Sequence, residues 1–182
     1  MSNYPIHTIA SAPELSKSAL EQLRQAFGVV PNLVGAIANS PKLINSLVGL
    51  FQQVHSSSLT EQETQIVLLT DAVANSCPYA VAFHTALALQ QGVSSEETDA
   101  LRERRVLIDK RFDALSILAR TLIEKRGHLS NKEFDSFFAA GFTKEQVLEV
   151  IAIVAASTIT NYAGTIANPP LEDPFRQYAW RA

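Results

Sequence analysis

The single cysteine of the chain, Cys77, lies in the run Ser76-Cys77-Pro78-Tyr79-Ala80-Val81-Ala82-Phe83-His84. A Cys-x-x-Cys-x-x-x-His stretch would set two thiols and an imidazole at the start of one helix, able to cycle between dithiol and disulfide. Ala80 stands where the second thiol would be. Pro78 suits the first position of a helix, which puts Cys77 at or near the N-cap, beside unpaired N–H groups and the positive end of the helix dipole. That setting favours thiolate and lowers the thiol pKa. A small, packed and unreactive cysteine fits the same position. His84 follows close to two turns later on the same helix face. Two turns rise about 10 Å, so the imidazole reaches the thiol only through water or a distorted helix.

Helices must hold these residues, because strand periodicity is nearly absent. Ser11-Ala12-Pro13-Glu14 reads as a capping box for a helix to about Phe27, with Gly28 as its C-cap. Pro31 and Pro41 fit the first turns of two more helices, the second ending near His55. Thr60 with Glu63 opens a helix to about Asn75, and Pro78 starts another that Gly92 stops after Gln91. Ser94 with Glu97 caps a short helix. Residues 111–126 form a further one, ended by Gly127. Ser130 with Glu133 and Thr143 with Gln146 open the last two, Phe142 and Val147 forming a hydrophobic staple on the final helix to about Ala163. The expected fold is all-α, a multi-helix bundle in a single domain over residues 1–182. A core-motif half (about 13–105) and a second helical half (about 110–182) each lead a capped Thr into a long apolar helix. Duplication and the ordinary recurrence of capping boxes both account for that pattern.

Leu59-Thr60-Glu61-Gln62-Glu63-Thr64-Gln65, Asn75-Ser76-Cys77, His84 and Gly92-Val93-Ser94 together resemble the core segment of the alkylhydroperoxidase D-like proteins in the carboxymuconolactone decarboxylase family. Phe27-Gly28-Val29-Val30-Pro31-Asn32-Leu33 resembles the opening segment of the longer, peroxidase-related members. Asn161-Tyr162-Ala163-Gly164-Thr165 and Leu171-Glu172-Asp173-Pro174-Phe175 resemble their closing segment, so the likeness spans most of residues 13–176. It implies a helical bundle of two similar halves, assembled as a trimer or hexamer, with thiol peroxidase chemistry and no cofactor. By the same resemblance Cys77 matches the resolving cysteine and His84 the histidine that meets the attacking thiol. Ala80 replaces that attacking cysteine, and Gln65 replaces a proton-relay glutamate.

Those departures decide the chemistry. An amide keeps the hydrogen bonds of a carboxylate but moves no proton at neutral pH. A dithiol peroxidase needs an attacking thiolate and a second thiol to condense with the sulfenic acid. With Cys77 alone the standard cycle is lost, and only one-cysteine chemistry with an external thiol remains.

Other polar residues are less specific. Tyr79 offers a hydrogen-bond donor to a binding pocket, or simply packs. Asp71, among Leu68, Leu69, Ala72 and Val73, either lines a pocket or subunit contact or lies on an exposed flank, the reading that the cost of burying a carboxylate favours. Asn161 and Tyr162 interrupt the last apolar helix and offer polar groups to a pocket. His7 and His55 read as solvated, and His128 as a cation at a helix C-terminus. Trp180 and the tail are expected to pack on a neighbour or fray.

The remaining composition excludes several classes. The 182 residues are 47% hydrophobic and 18% charged, with a net charge of −3, which suits a chain with a real core. The cluster Arg102-Glu103-Arg104-Arg105 is broken by its acid, so no basic stripe marks a nucleic-acid surface. Four dispersed histidines and one cysteine give no metal spacing. Met1-Ser2-Asn3-Tyr4-Pro5 has neither a basic nor an apolar leader region. Val147 to Ile159 is interrupted by polar residues and too short to span a bilayer. The expectation is a cytoplasmic homo-oligomer acting on an unknown small molecule, without nucleic acid or membrane. Three activities fit: weak one-cysteine peroxidase chemistry at Cys77, a cofactor-free decarboxylase or lactone-processing enzyme using His84, or a non-catalytic binding or scaffold protein.

Overall fold

A computed structural model describes residues 2–181; Met1 of the N-terminal stretch and Ala182 at the end of the expected domain lie outside the described residues. The chain runs through α1 (Glu14–Phe27), α2 (Asn32–Ile37), α3 (Pro41–Val54), α4 (Glu61–Ala74), α5 (Pro78–Gln90), α6 (Ser95–Arg102), α7 (Lys110–Glu124), α8 (Asn131–Ala139) and α9 (Lys144–Ala167), then a 3-10 turn at Asp173–Tyr178. The described residues contain no strand. The fold is the expected all-α bundle.

Most boundaries follow the capping chemistry. Thr60, Ser130 and Thr143 each accept from the N–H three residues on, and Glu63, Glu133 and Gln146 reach back to complete the three boxes. The Ser11 box does not form. α1 starts after Pro13 with no side-chain cap, because Ser11 is drawn into a local turn with Thr8 and His7.

α4 is buried almost from end to end, because α5, α7 and α9 pack around it. A helix enclosed on all sides has no need of a polar stripe. Its N-terminus is tied to α7 by one carboxylate: Glu63 caps the helix through Oε2 and takes Arg111 Nε and Nη2 on Oε1 at 3.1 and 2.8 Å. Arg111 also covers the Phe142 ring at 4.0 Å and donates to the Ala140 carbonyl.

Two expectations about the C-terminal third need correction. α9 has 24 residues and is long and apolar enough, by length and composition, to cross a membrane. Its inner face nevertheless buries Ser157, Thr160 and Asn161 along with Val150 and Ile153, so here it serves as a wall of the bundle. The tail neither frays nor waits for a neighbour. Phe175 meets the edge of Phe83 at 5.0 Å, and Trp180 Nε1 donates to the Arg102 carbonyl at 3.3 Å.

Candidate functional site

The turn between α4 and α5 sets the site. Ser76 adopts a left-handed conformation (φ 50°). Its N–H reaches the Val73 carbonyl, and the Cys77 N–H reaches back to Ala72. This pair of bonds closes a helix in a Schellman turn, here without the usual glycine. The chain reverses within a few residues, and Cys77 becomes the N-cap of α5, as its sequence position implied.

The expected thiolate does not follow. Cys77 is fully buried, and burial pushes its pKa up. The N–H groups of Ala80 and Tyr79 and the Thr165 side chain pull it down without offsetting that penalty. Removing water from an ionisable thiol disfavours the charged form more than a helix end favours it. The sulfur is enclosed by α9, where a Cβ on Gly164 would stand 2.9 Å from Cys77 Sγ. Gly164→Ala should therefore cost about 1–2 kcal/mol by overpacking, despite the better helix propensity of alanine. In a Cys77→Ala background the same change should be neutral or stabilising, and a thermal double-mutant cycle checks this. Equal costs in both backgrounds would show that the sulfur is not the obstacle.

His84 lies elsewhere, on a separate chamber. It is buried and its Nδ1 lies 3.1 Å from Gln65 Oε1. An amide oxygen only accepts, so the proton sits on Nδ1 and the Nε2 lone pair is left free. Burial, with a smaller contribution from His55, pushes the imidazole down to about 3, so it is neutral at physiological pH. Gln65 and His84 thus meet across α4 and α5, with an amide where the resemblance puts an acid.

The chamber beside them measures about 50 Å³. Its wall is mostly apolar, with Phe27, Phe51, Tyr79 and Phe83 among its aromatic members and Ala80 on it where a thiol would sit. Cys77 is not part of that wall. The chamber adjoins an outer groove of about 420 Å³ that shares Leu23, Phe27, Phe51, His55, Gln65 and Leu87 with it.

Tyr79 also lines the chamber, and its hydroxyl donates to Glu172 Oε1 at 2.8 Å. Burial first, and the Glu172 carboxylate second, hold the phenol protonated. Glu172 accepts the Asn32 N–H as well, so one acid ties α2, α5 and the tail together.

Asp71 is the clearest miss. It is fully buried with both oxygens lacking a geometric partner, and burial raises its pKa well above the usual carboxylate range, only partly countered by Ser157. The expected exposed flank does not exist, because α9 covers that side of α4. Asn161 donates to the same Ser157 at 3.2 Å while its own Oδ1 is unpartnered. Tyr162, by contrast, is exposed and adds nothing to the chamber.

His55 is exposed, as the sequence reading expects, and also borders the chamber. It caps α3, stacks on Phe51 and holds Glu61 at 3.1 and 3.2 Å through Nδ1. His7 is similarly engaged, by Asn39 and Ser11. No spacing rule links His55 to His84; only the turn between α3 and α4 brings them to one cavity. Among the described residues no cluster of three or more potential metal ligands occurs.

This arrangement of helices and chamber defines a class. Residues 41–120 match the family model of the carboxymuconolactone decarboxylase family, which covers α3 to α6 and most of α7. Over that segment, somewhat less than half of the chain, the protein is similar to this family. No curated protein matches the chain. In fold it is similar to an uncharacterized peroxidase-related protein with an alkylhydroperoxidase AhpD core from Ralstonia eutropha JMP134, with a TM-score of 0.83 and 21% identity over 96% of this chain and 94% of that one. It is also similar to the debrominase Bmp8, solved as a variant with 2,3,4-tribromopyrrole, with a TM-score of 0.80 and 17% identity over 98% and 96% of the two chains. A peroxidase-related protein from Silicibacter sp. TM1040 gives 0.76 and 15% identity over 95% and 92%.

Proposed function

We infer that this protein is a small-molecule-binding member of its family that has left dithiol peroxidase chemistry behind. The observation that carries the reading is the separation of thiol from chamber. Cys77 is sealed under Gly164, while the wall carries Ala80 and a neutral His84. An imidazole held to about 3 is a weak base, poorly matched to proton abstraction near neutral pH. It is a good acceptor for an N–H or O–H group in an apolar surround. Aromatic walls favour a flat ring. The debrominase complex offers a precedent in this fold for a small ring bearing one N–H.

A second surface supports the expected homo-oligomer. Leu148, Ile151, Tyr162 and Ile166 are exposed along one side of α9, at spacings that form a continuous helical stripe.

Cys77 alkylation across pH tests the thiol part directly. The expected result is slow alkylation in the folded protein, unchanged by a pulse of organic hydroperoxide, while Ala80→Cys yields a second thiol that alkylates faster. Rapid, peroxide-sensitive alkylation of Cys77 would return the protein to one-cysteine redox chemistry. Calorimetry with phenol and pyrrole tests the chamber: binding is expected, weakened about tenfold when Ala80→Phe fills the wall. No binding of either ring would remove the small-molecule reading.

A further inference from the structure

The outer groove has a feature that ring binding alone does not require. Its polar rim consists of the amides Gln22, Gln52, Gln65, Gln90 and Gln91 together with one titratable pair, His55 and Glu61. Glu61, at the start of α4, takes both its contacts with His55 through Nδ1, at 3.1 and 3.2 Å. The carboxylate only accepts, so it fixes the Nδ1–H tautomer and leaves the Nε2 lone pair free, as a carboxylate does for any imidazole it orients. Among the described residues Nε2 has no hydrogen-bond partner, and His55 borders both the groove and the chamber. The ring is pinned from behind by stacking on Phe51 at 6.0 Å.

The cavity thus holds two imidazoles in the same tautomeric state. Gln65 fixes His84 at the inner end and Glu61 fixes His55 at the outer end, and each is left with an Nε2 lone pair. No lysine or arginine lines either space. Such a site offers acceptors without a cation, so it selects against carboxylates and phosphates and for neutral donors. We propose that the chamber and groove together recognise a neutral aromatic ring carrying two hydrogen-bond donors, of the dihydroxybenzene kind, held between His84 Nε2 and His55 Nε2, with Glu61 as the positioning residue. This rests on the ring-binding reading above and names its ligand class.

Calorimetry with resorcinol, 3-methoxyphenol and 1,3-dimethoxybenzene distinguishes the outcomes. For the native protein, affinity should fall about tenfold for each hydroxyl capped as a methyl ether. His55→Phe keeps the stack on Phe51 but removes the acceptor. It should bind resorcinol and 3-methoxyphenol equally. Glu61→Ala, which releases the His55 ring, should narrow the gap between resorcinol and 3-methoxyphenol while leaving 3-methoxyphenol binding unchanged. Equal affinity of the native protein for all three rings, or a His55→Phe variant as selective as the native protein, would overturn the two-acceptor proposal while leaving ring binding intact. Failure of every ring to bind would overturn both.

Discussion

Replacing Asp71 by Asn should stabilise the protein, and by more at neutral pH than at acid pH. Asp71 is a fully buried carboxyl whose pKa burial raises well above the usual range. A raised folded-state pKa means that the folded state holds a proton the unfolded chain has lost. Stability from that proton is fully present below about pH 3.8, the ordinary aspartate value, and is lost as pH rises through the folded-state value. The stability difference between Asp71→Asn and the native protein should therefore widen by about 1.4 kcal/mol for each pH unit between that point and the raised folded-state value. In a chain of this size that is about 4 °C in melting temperature per unit. The native curve alone would hide this. His84 has the opposite behaviour: its pKa is lowered from 6.5 to about 3, so its contribution is lost as pH falls through that interval. Where the two intervals overlap the slopes oppose each other, and only the difference between variants isolates Asp71. Paired thermal melts from pH 4 to 8 provide the measurement. A constant difference across that range would mean that Asp71 does not titrate as a buried acid.

Glu63→Ala should be strongly destabilising, costing about 3 kcal/mol, or on the order of 10 °C. One carboxylate completes the Thr60 capping box and anchors Arg111 through two nitrogens. Losing a reciprocal cap costs about 1 kcal/mol. Removing the acid from a buried pair costs more, moderated here because the Arg111 side chain is 43% exposed and can regain water. Glu63→Gln separates the two effects. It preserves the reach back to the Thr60 N–H, as Gln146 does for Thr143, but carries no charge for Arg111. Its cost should fall near half that of the alanine variant. If both variants melt together, the cap contributes nothing and the ion pair accounts for the whole loss.

The legible part of this fold was its punctuation. Thr60 with Glu63, Ser130 with Glu133, and Thr143 with Gln146 are local signals, settled by residues three apart, and the structure keeps all three. Pro78 correctly set Cys77 at a helix start for the same reason. What the sequence concealed depends on neighbours distant along the chain. Asp71 on an apolar helix has an open side only until α9 arrives, and nothing within the helix announces that cover. The Cys77 thiol follows the same logic: its helix end is visible in the sequence, whereas the Gly164 surface that dries it is not. Gln65 and His84, nineteen residues apart, could be paired from the family resemblance. The partnership of His55 with Glu61, though close in sequence, gained its meaning only from a cavity assembled by several helices.

The walls of the chamber come from widely separated stretches of chain. Tyr79 waits 93 residues for Glu172, and Phe83 meets Phe175 only once the segment after α9 has folded back across α5. Contacts closing loops of that length carry a large entropic delay, and synthesis delivers them after most of the bundle has emerged. The chamber is consequently a late acquisition in the life of each molecule. A chain that has formed its helices but not yet seated its tail is compact while the chamber wall still lacks its outer support, so a finished chamber marks completed maturation rather than mere collapse.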